Sequence, residues 1–359
     1  MIKAGCQSTS NLLLQLCILI DKPLKGILEA TNIFMARQLF EYHPLIGYRF
    51  IPGLKARILH EAGGYFVRVN QTGFRSDCEF IPEKKNGKKR ILLFGDSYTA
   101  GEGVANEQRY SDLLEKLIPN LEVYNFGLPG TGTDQQFLAY QEYAKNIEHD
   151  FLMIAILVEN IRRNTAHYRI YQNEEGQEVC YAKPYYEMTD GKPILKNVPP
   201  SRQAIQESDI PREEKNFVER GGRFPLLRDV IKKMGLKDMA QKITHYQPFP
   251  EYDQKDSPPW QLTKGILREW ITNHPKPCLL MPIPFYSHIE ENSDPTNMQK
   301  RFQELAGELS CGLLDPLDAL KKYPMSERRQ FRFKQDIHLT PLGHAALAKT
   351  LVPFISKLL

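Results

Sequence analysis

The hydrophobic pattern changes period along the chain, and each change predicts a different kind of element. Leu12 to Ile20 is apolar except for Gln15, and Asp21 and Lys22 end the run. A membrane-spanning helix needs roughly 20 apolar residues, and no small-residue cleavage site follows. Residues 10–40 therefore read as one or two amphipathic helices, with Ser10 or Asn11 as N-cap and a break at Pro23. Docking on the main domain is the expectation for them, and lying on a membrane surface is the alternative. Between 41 and 80 the texture turns aromatic and β-branched. His43–Phe50 and Gly64–Asn70, punctuated by Gly, Pro and Asn, read as strands of a small sheet or hairpin.

From Arg90 onward, short apolar runs alternate with stretches of helical spacing. Ile91–Phe94 predicts a buried strand, and 107–118 predicts a helix through Tyr110, Leu113, Leu114 and Leu117. Val123–Phe126 is a second strand and 134–147 a second helix. Phe151–Val158 is nearly continuous in apolar residues, as a central parallel strand would be. The alternation lapses over 165–262, a stretch rich in tyrosine, proline and mixed charge that reads as a loop-rich insertion or lid with some helix near 225–243. It resumes with a helix at 261–273, a strand at Cys278–Ile283, a helix at 295–309, a short strand at Leu313-Leu314 and a final helix from Pro341 to Leu358. The pattern predicts an α/β domain over 88–359 with a mainly parallel sheet covered on both faces. An N-terminal helical segment and small β extension would occupy 1–87.

Composition adds limits. A 42% hydrophobic content supports a large core, and the net charge of +4 is mild. Lys84–Arg90 is the densest basic cluster; it reads as a solvated loop, or as a contact for phosphate or anionic lipid. A nucleic-acid binder would show a larger, aromatic-interleaved basic footprint, so no nucleic-acid partner is expected. The six cysteines are widely scattered, with no Cys-x-x-Cys and no metal-ligand spacing. That favours a reducing, cytoplasmic setting and calls for no metal or other cofactor. The oligomeric state is not readable.

The chemistry concentrates in two places. Gly95-Asp96-Ser97 closes the strand Ile91–Phe94, where Gly95 permits a sharp turn and the serine hydroxyl projects at the carboxyl edge of the sheet. Near the C-terminus stands Asp336-Ile337-His338. A serine hydroxyl is a poor nucleophile until a base takes its proton, and a carboxylate holds that base in the useful tautomer. The pair thus predicts Ser97 as nucleophile, His338 as base and Asp336 as its orienting acid. An ordinary imidazole in that role predicts activity rising with an apparent pKa of about 6.5–7.

Four blocks make the chain resemble the SGNH, or GDSL, hydrolase family: Gly95–Gly101, Asn125–Gly130, Glu159-Asn160-Ile161 and Asp336–His344. The resemblance implies a flavodoxin-like three-layer α/β/α sandwich with the site at the carboxyl ends of the strands. It assigns the triad above and implies an oxyanion hole made by the Ser97 N–H, the Gly127 N–H and the Asn160 side chain. Glu159 competes with Asn160 for that last slot, since the block often reads Gly-Asn-Asp in relatives. Glu159, Arg163 and Tyr168 are possible substrate contacts, while His344 reads as a packing residue of the final helix. The expected activity is that of a serine esterase acting on an acylated carbohydrate or another small acylated metabolite. An O-acyltransferase acting on a glycan with the same triad and an inactive carbohydrate-binding module are the alternatives.

Overall fold

In this computed structural model the described residues are 39–172, 178–212, 214–215, 218–220 and 247–359, and they fall in one compact unit. The amphipathic helices expected over 10–40 and the helix expected near 225–243 lie outside them, save for residues 39 and 40. Two antiparallel hairpins come first. β1 (Phe40–His43) pairs with β2 (Gly47–Phe50), and β3 (Lys55–Ile58) pairs with β4 (Tyr65–Arg68). The first reverses within the segment expected as strand. His43 accepts the N–H groups of Leu45 and Ile46 on its Nδ1, each at 3.2 Å, which closes the turn locally.

The α/β core follows with β5 (Lys89–Phe94), β6 (Leu121–Asn125) and β7 (Phe151–Leu157). The insertion then contributes β8 (Tyr168–Gln172), β9 (Glu178–Ala182), β10 (Tyr185–Thr189), β11 (Lys192–Lys196) and β12 (Val218–Arg220), before β13 (Cys278–Ile283) and β14 (Gly312–Leu313) complete the core. The central sheet has the order β6-β5-β7-β13-β14 and is parallel throughout. Numbered within the sheet, this is the 2-1-3-4-5 order of flavodoxin-like folds. Period-2 alternation divides its side chains between two layers. Ile91, Leu93, Met153, Ala155 and Met281 pack against the helix Tyr110–Leu117 and the final helix Pro341–Leu358. Leu92, Phe94, Leu152, Ile154 and Leu280 pack against the helices Thr133–Ala139, Pro258–Thr272 and Thr296–Leu309. None of the helices among the described residues is long and apolar enough to cross a membrane.

Two expectations need correction. The boundary at 87/88 is not a boundary in packing, because Ile46, Phe50 and Phe74 join the same apolar cluster as Leu92 and Phe94. The insertion is also less loop-like than its composition implied: β8, β9 and β12 form one small sheet, and β10 and β11 form a hairpin. The hairpin turn is Asp190-Gly191, with φ of 51° and 76°, the two-residue signature that a reading by composition passed over.

Arg75 anchors the hairpin region to the core. Its fully buried guanidinium donates to Gly101 O at 2.6 Å, to Val104 O at 2.7 Å and to Asn106 Oδ1 at 3.0 and 3.1 Å. Truncation would leave those acceptors buried and unpaired. Arg75→Ala is expected to lower unfolding free energy by about 2–4 kcal/mol in chemical denaturation; a loss below about 0.5 kcal/mol would show that the region is held elsewhere.

Candidate active site

The strand-to-helix turn after β5 is fixed by steric necessity. A Cβ on Gly95 would lie 2.1 Å from Thr99 Oγ1 and 2.9 Å from Ala155 O, so only glycine lets the chain turn there. Asp96 caps the short helix Ser97–Ala100, its Oδ1 accepting the Tyr98 N–H at 3.0 Å. Its Oδ2 receives Arg163 Nη1 at 2.8 Å, which ties the turn to the helix Asn160–Thr165 after β7. Ser97 opens that first turn, and its N–H has no partner among the described residues.

The segment 332–339 doubles back on itself through an isolated bridge between Arg332 and Leu339. It is fastened to the Ser97 turn by the Tyr98 hydroxyl, which donates to Ile337 O at 2.7 Å. This brings His338 Nε2 to 2.8 Å from Ser97 Oγ, and His338 Nδ1 to 2.5 Å from Asp336 Oδ1. The two-residue spacing of Asp and His is therefore geometrically sufficient. A second carboxylate, that of Glu102, stands on the Nε2 side at 3.5 Å. Behind the aspartate, His60 Nε2 lies 3.1 Å from Asp336 Oδ2, and Glu61 Oε1 accepts the N–H groups of Gln335 and Asp336 at 2.8 and 2.9 Å.

The charges shift the titrations strongly. Burial alone would lower the His338 pKa, but the negative charges of Glu102 and Asp336, with Asp96 behind them, outweigh it and raise it to about 9. Burial works to raise Asp336, yet the facing His338 and the hydrogen bonds from His338 and His60 hold it far below the usual carboxylate range. His344 behaves oppositely: burial, then Arg109 and Arg75, push it down to about 3, and its Nδ1 accepts the Tyr110 N–H at 3.2 Å. It is a neutral packing residue of the final helix.

Asn160 follows β7 and is fully buried, and neither its Oδ1 nor its Nδ2 has a hydrogen-bond partner among the described residues. Such an amide is costly unless something else engages it. Glu159, its competitor, instead pairs with Arg163 Nη2 at 3.2 Å. Arg163 therefore bridges Asp96 and Glu159. Tyr168 packs with Ile170, Cys180 and Ile210 in the insertion's own small cluster, apart from the contacts that join Ser97, His338 and Asp336. Gly127 does not fit the expected donor role. Its N–H donates to Asn125 Oδ1 at 2.8 Å, and a Cβ there would sit 2.4 Å from Ala100 N. The glycine is required for close packing of the helix Ser97–Ala100. Further along the same loop, Gly130 has a φ of 75° and an N–H with no partner among the described residues. The loop is clamped from both appended regions: Tyr48 donates to Pro129 O at 2.6 Å, and Arg169 donates to Gly130 O.

Sequence reasoning missed Glu102, Gly130, His60 and Glu61. Glu102 and Gly130 stand in or beside the blocks already singled out. His60 is 276 positions from its partner and carries no local signal.

The sequence profile of the GDSL-like lipase/acylhydrolase family matches residues 93–346, and the chain belongs to that family, a class of hydrolases acting on ester bonds. No curated protein matches the chain. Among solved structures, a lipolytic protein of the G-D-S-L family from Veillonella parvula is similar at 12% identity, over 75% of this chain and 99% of that one, with a TM-score of 0.38. A lipase/acylhydrolase from Enterococcus faecalis is similar at 14% identity, over 75% and 96% of the two chains, with a TM-score of 0.38. A two-domain esterase active on acetylated mannans is similar at 13% identity, over 76% of this chain and 50% of that one, with a TM-score of 0.35.

The His338 imidazole should titrate near pH 9 by NMR, and Glu102→Gln should lower that pKa by removing the closest charge on the Nε2 side. The folded-state pKa lies above the unfolded value of about 6.5. The linked stabilisation is thus complete below about pH 6.5 and fades as pH rises through about 9. Titration in the wild type at an ordinary imidazole pKa would contradict the charge assignment.

Proposed function

We propose that this member of the family is a serine esterase in which Ser97 attacks the acyl carbon, His338 takes the hydroxyl proton on Nε2, and Asp336 holds the imidazole through Nδ1. The carrying observation is the unbroken chain Ser97 Oγ, His338 Nε2 and Nδ1, Asp336 Oδ1, with contacts of 2.8 and 2.5 Å; the buried, unpartnered amide of Asn160 follows the neighbouring strand β7. In the first half-reaction the serine oxygen bonds to the carbonyl carbon, its proton moves to Nε2, and the carbonyl oxygen becomes negative. Collapse expels the alcohol, which leaves with the proton from His338. Water then repeats the sequence on the acyl-enzyme and releases the acid.

The negative oxygen needs preorganised donors. The Asn160 Nδ2 and the Ser97 N–H are two of them, and Gly130 takes the place expected of Gly127. With the Pro129 carbonyl held by Tyr48, the Gly130 N–H of the same trans peptide points the opposite way, away from Tyr48. The ion pair of Glu159 with Arg163 supports Asn160 as the amide donor.

For the substrate, we propose a short-acyl ester of a carbohydrate or another small metabolite. A recess whose lining includes Tyr98, Tyr286, Phe331, Ile337 and the arginines Arg328 and Arg332 contains the chain neighbours of Ser97 and His338. Its volume is only about 10 Å³, room for about one water, so a long acyl chain does not fit there, which supports a short acyl group.

A fluorophosphonate probe should label the wild type and leave Ser97→Ala unlabelled; no labelling of folded wild type would favour a non-hydrolytic module. Asn160→Ala should lower kcat by about 100-fold or more with little change in KM, and an equal loss in both would move the oxyanion donor elsewhere. On p-nitrophenyl acetate, kcat/KM should rise with an apparent pKa near 9 rather than 6.5–7; a flat profile from about pH 5 to 10 would remove His338 from the base role. Acetyl esters should outperform palmitoyl esters. Product that forms only when a sugar acceptor is supplied would indicate acyl transfer instead.

A further inference from the structure

We infer that His60, at the tip of the hairpin β3–β4, is a positioning residue that fixes the rotamer of Asp336 and so aims His338 at Ser97. The inference rests on the esterase reading above. The hairpin precedes residues 93–346, so the family match does not reach it.

The geometry is specific. A carboxylate can only accept, so the 3.1 Å contact between His60 Nε2 and Asp336 Oδ2 puts the proton on Nε2. That bond takes one oxygen of Asp336 while Oδ1 takes the His338 Nδ1 and the His338 backbone N–H, at 2.5 and 3.1 Å. The terminal torsion of an aspartate is broad when unconstrained. Here both oxygens are claimed from opposite sides, so rotation would break a bond at each end. His60 is itself held, with its ring centroid 4.3 Å from that of Phe333 and 6.0 Å from that of Tyr65. Glu61 braces the same segment by accepting the N–H groups of Gln335 and Asp336. The hairpin is thus a bracket on the acid of the triad, added from outside the central sheet. A small displacement of a catalytic group costs rate rather than affinity when the displaced group acts only in the reacting state.

Two variants separate positioning from packing. His60→Phe keeps an aromatic ring against Phe333 and Tyr65 but cannot donate. His60→Gln keeps an N–H donor. On p-nitrophenyl acetate, with Ser97-dependent turnover first shown in the wild type, His60→Phe should lower kcat by about 10- to 100-fold with KM within about two-fold. His60→Gln should recover most of that loss. Independently of turnover, the low-field NMR proton of the His338–Asp336 pair, absent in His338→Gln, should move in His60→Phe and stay near its wild-type position in His60→Gln. Equal kcat in all three proteins, or a proton signal unmoved in His60→Phe, would overturn the inference. A wild type that turns over normally while both variants match it would refute His60 alone. A wild type without Ser97-dependent turnover would refute the esterase reading, and the NMR comparison would still decide the role of His60.

Discussion

The hydrogen bond between Ser97 Oγ and His338 Nε2 joins positions 241 residues apart, and the rest of the molecule is arranged to keep it. A contact that distant in sequence carries a large ordering cost, so rigid elements must hold each end. The parallel sheet supplies one end. β5 delivers the serine at its carboxyl edge, and the neighbouring β7 delivers Asn160 at the same edge. These two strands flank the point where the strand order reverses, the place where open α/β sheets form a crevice. The other end is the 332–339 segment, tied down by Tyr98, by its own bridge and by the hairpin β3–β4.

Charge is the second theme. Three carboxylates, Asp96, Glu102 and Asp336, raise the pKa of one partly buried imidazole, so His338 favours its protonated form near neutrality. In the proposed mechanism that stabilises the imidazolium formed during acylation and also makes the resting base scarcer at neutral pH. Asp96 is restrained from acting alone by Arg163, which also fixes the helix bearing Asn160. The nucleophile turn and the proposed oxyanion donor are therefore linked through one guanidinium.

Much of this was legible in the chain. The strands of the central sheet and the final helix announce themselves by periodicity, because their buried faces demand it. Ser97, Asp336, His338 and Asn160 stood in short blocks whose residue types have few other reasons to occur together. What escaped reading depends on packing. Gly127 and Gly130 share one loop, and only the Asn125 side chain decides which N–H stays open. The strands of the insertion are short, and those of the β10–β11 hairpin are largely exposed, so composition disguised them as loop. The hairpin tip has no chemical signature at all, since a histidine near residue 60 gains meaning only when Asp336 arrives beside it.

The proposed mechanism depends on covalent chemistry at Ser97. The most direct check is rapid-quench mass spectrometry during turnover of p-nitrophenyl acetate at low pH, followed by peptide mapping. One acetyl group on Ser97, appearing before steady-state turnover and lost as acetate is released, is the predicted result. Acetate released while Ser97 stays unmodified, or an acetyl group carried by a different residue, would contradict it.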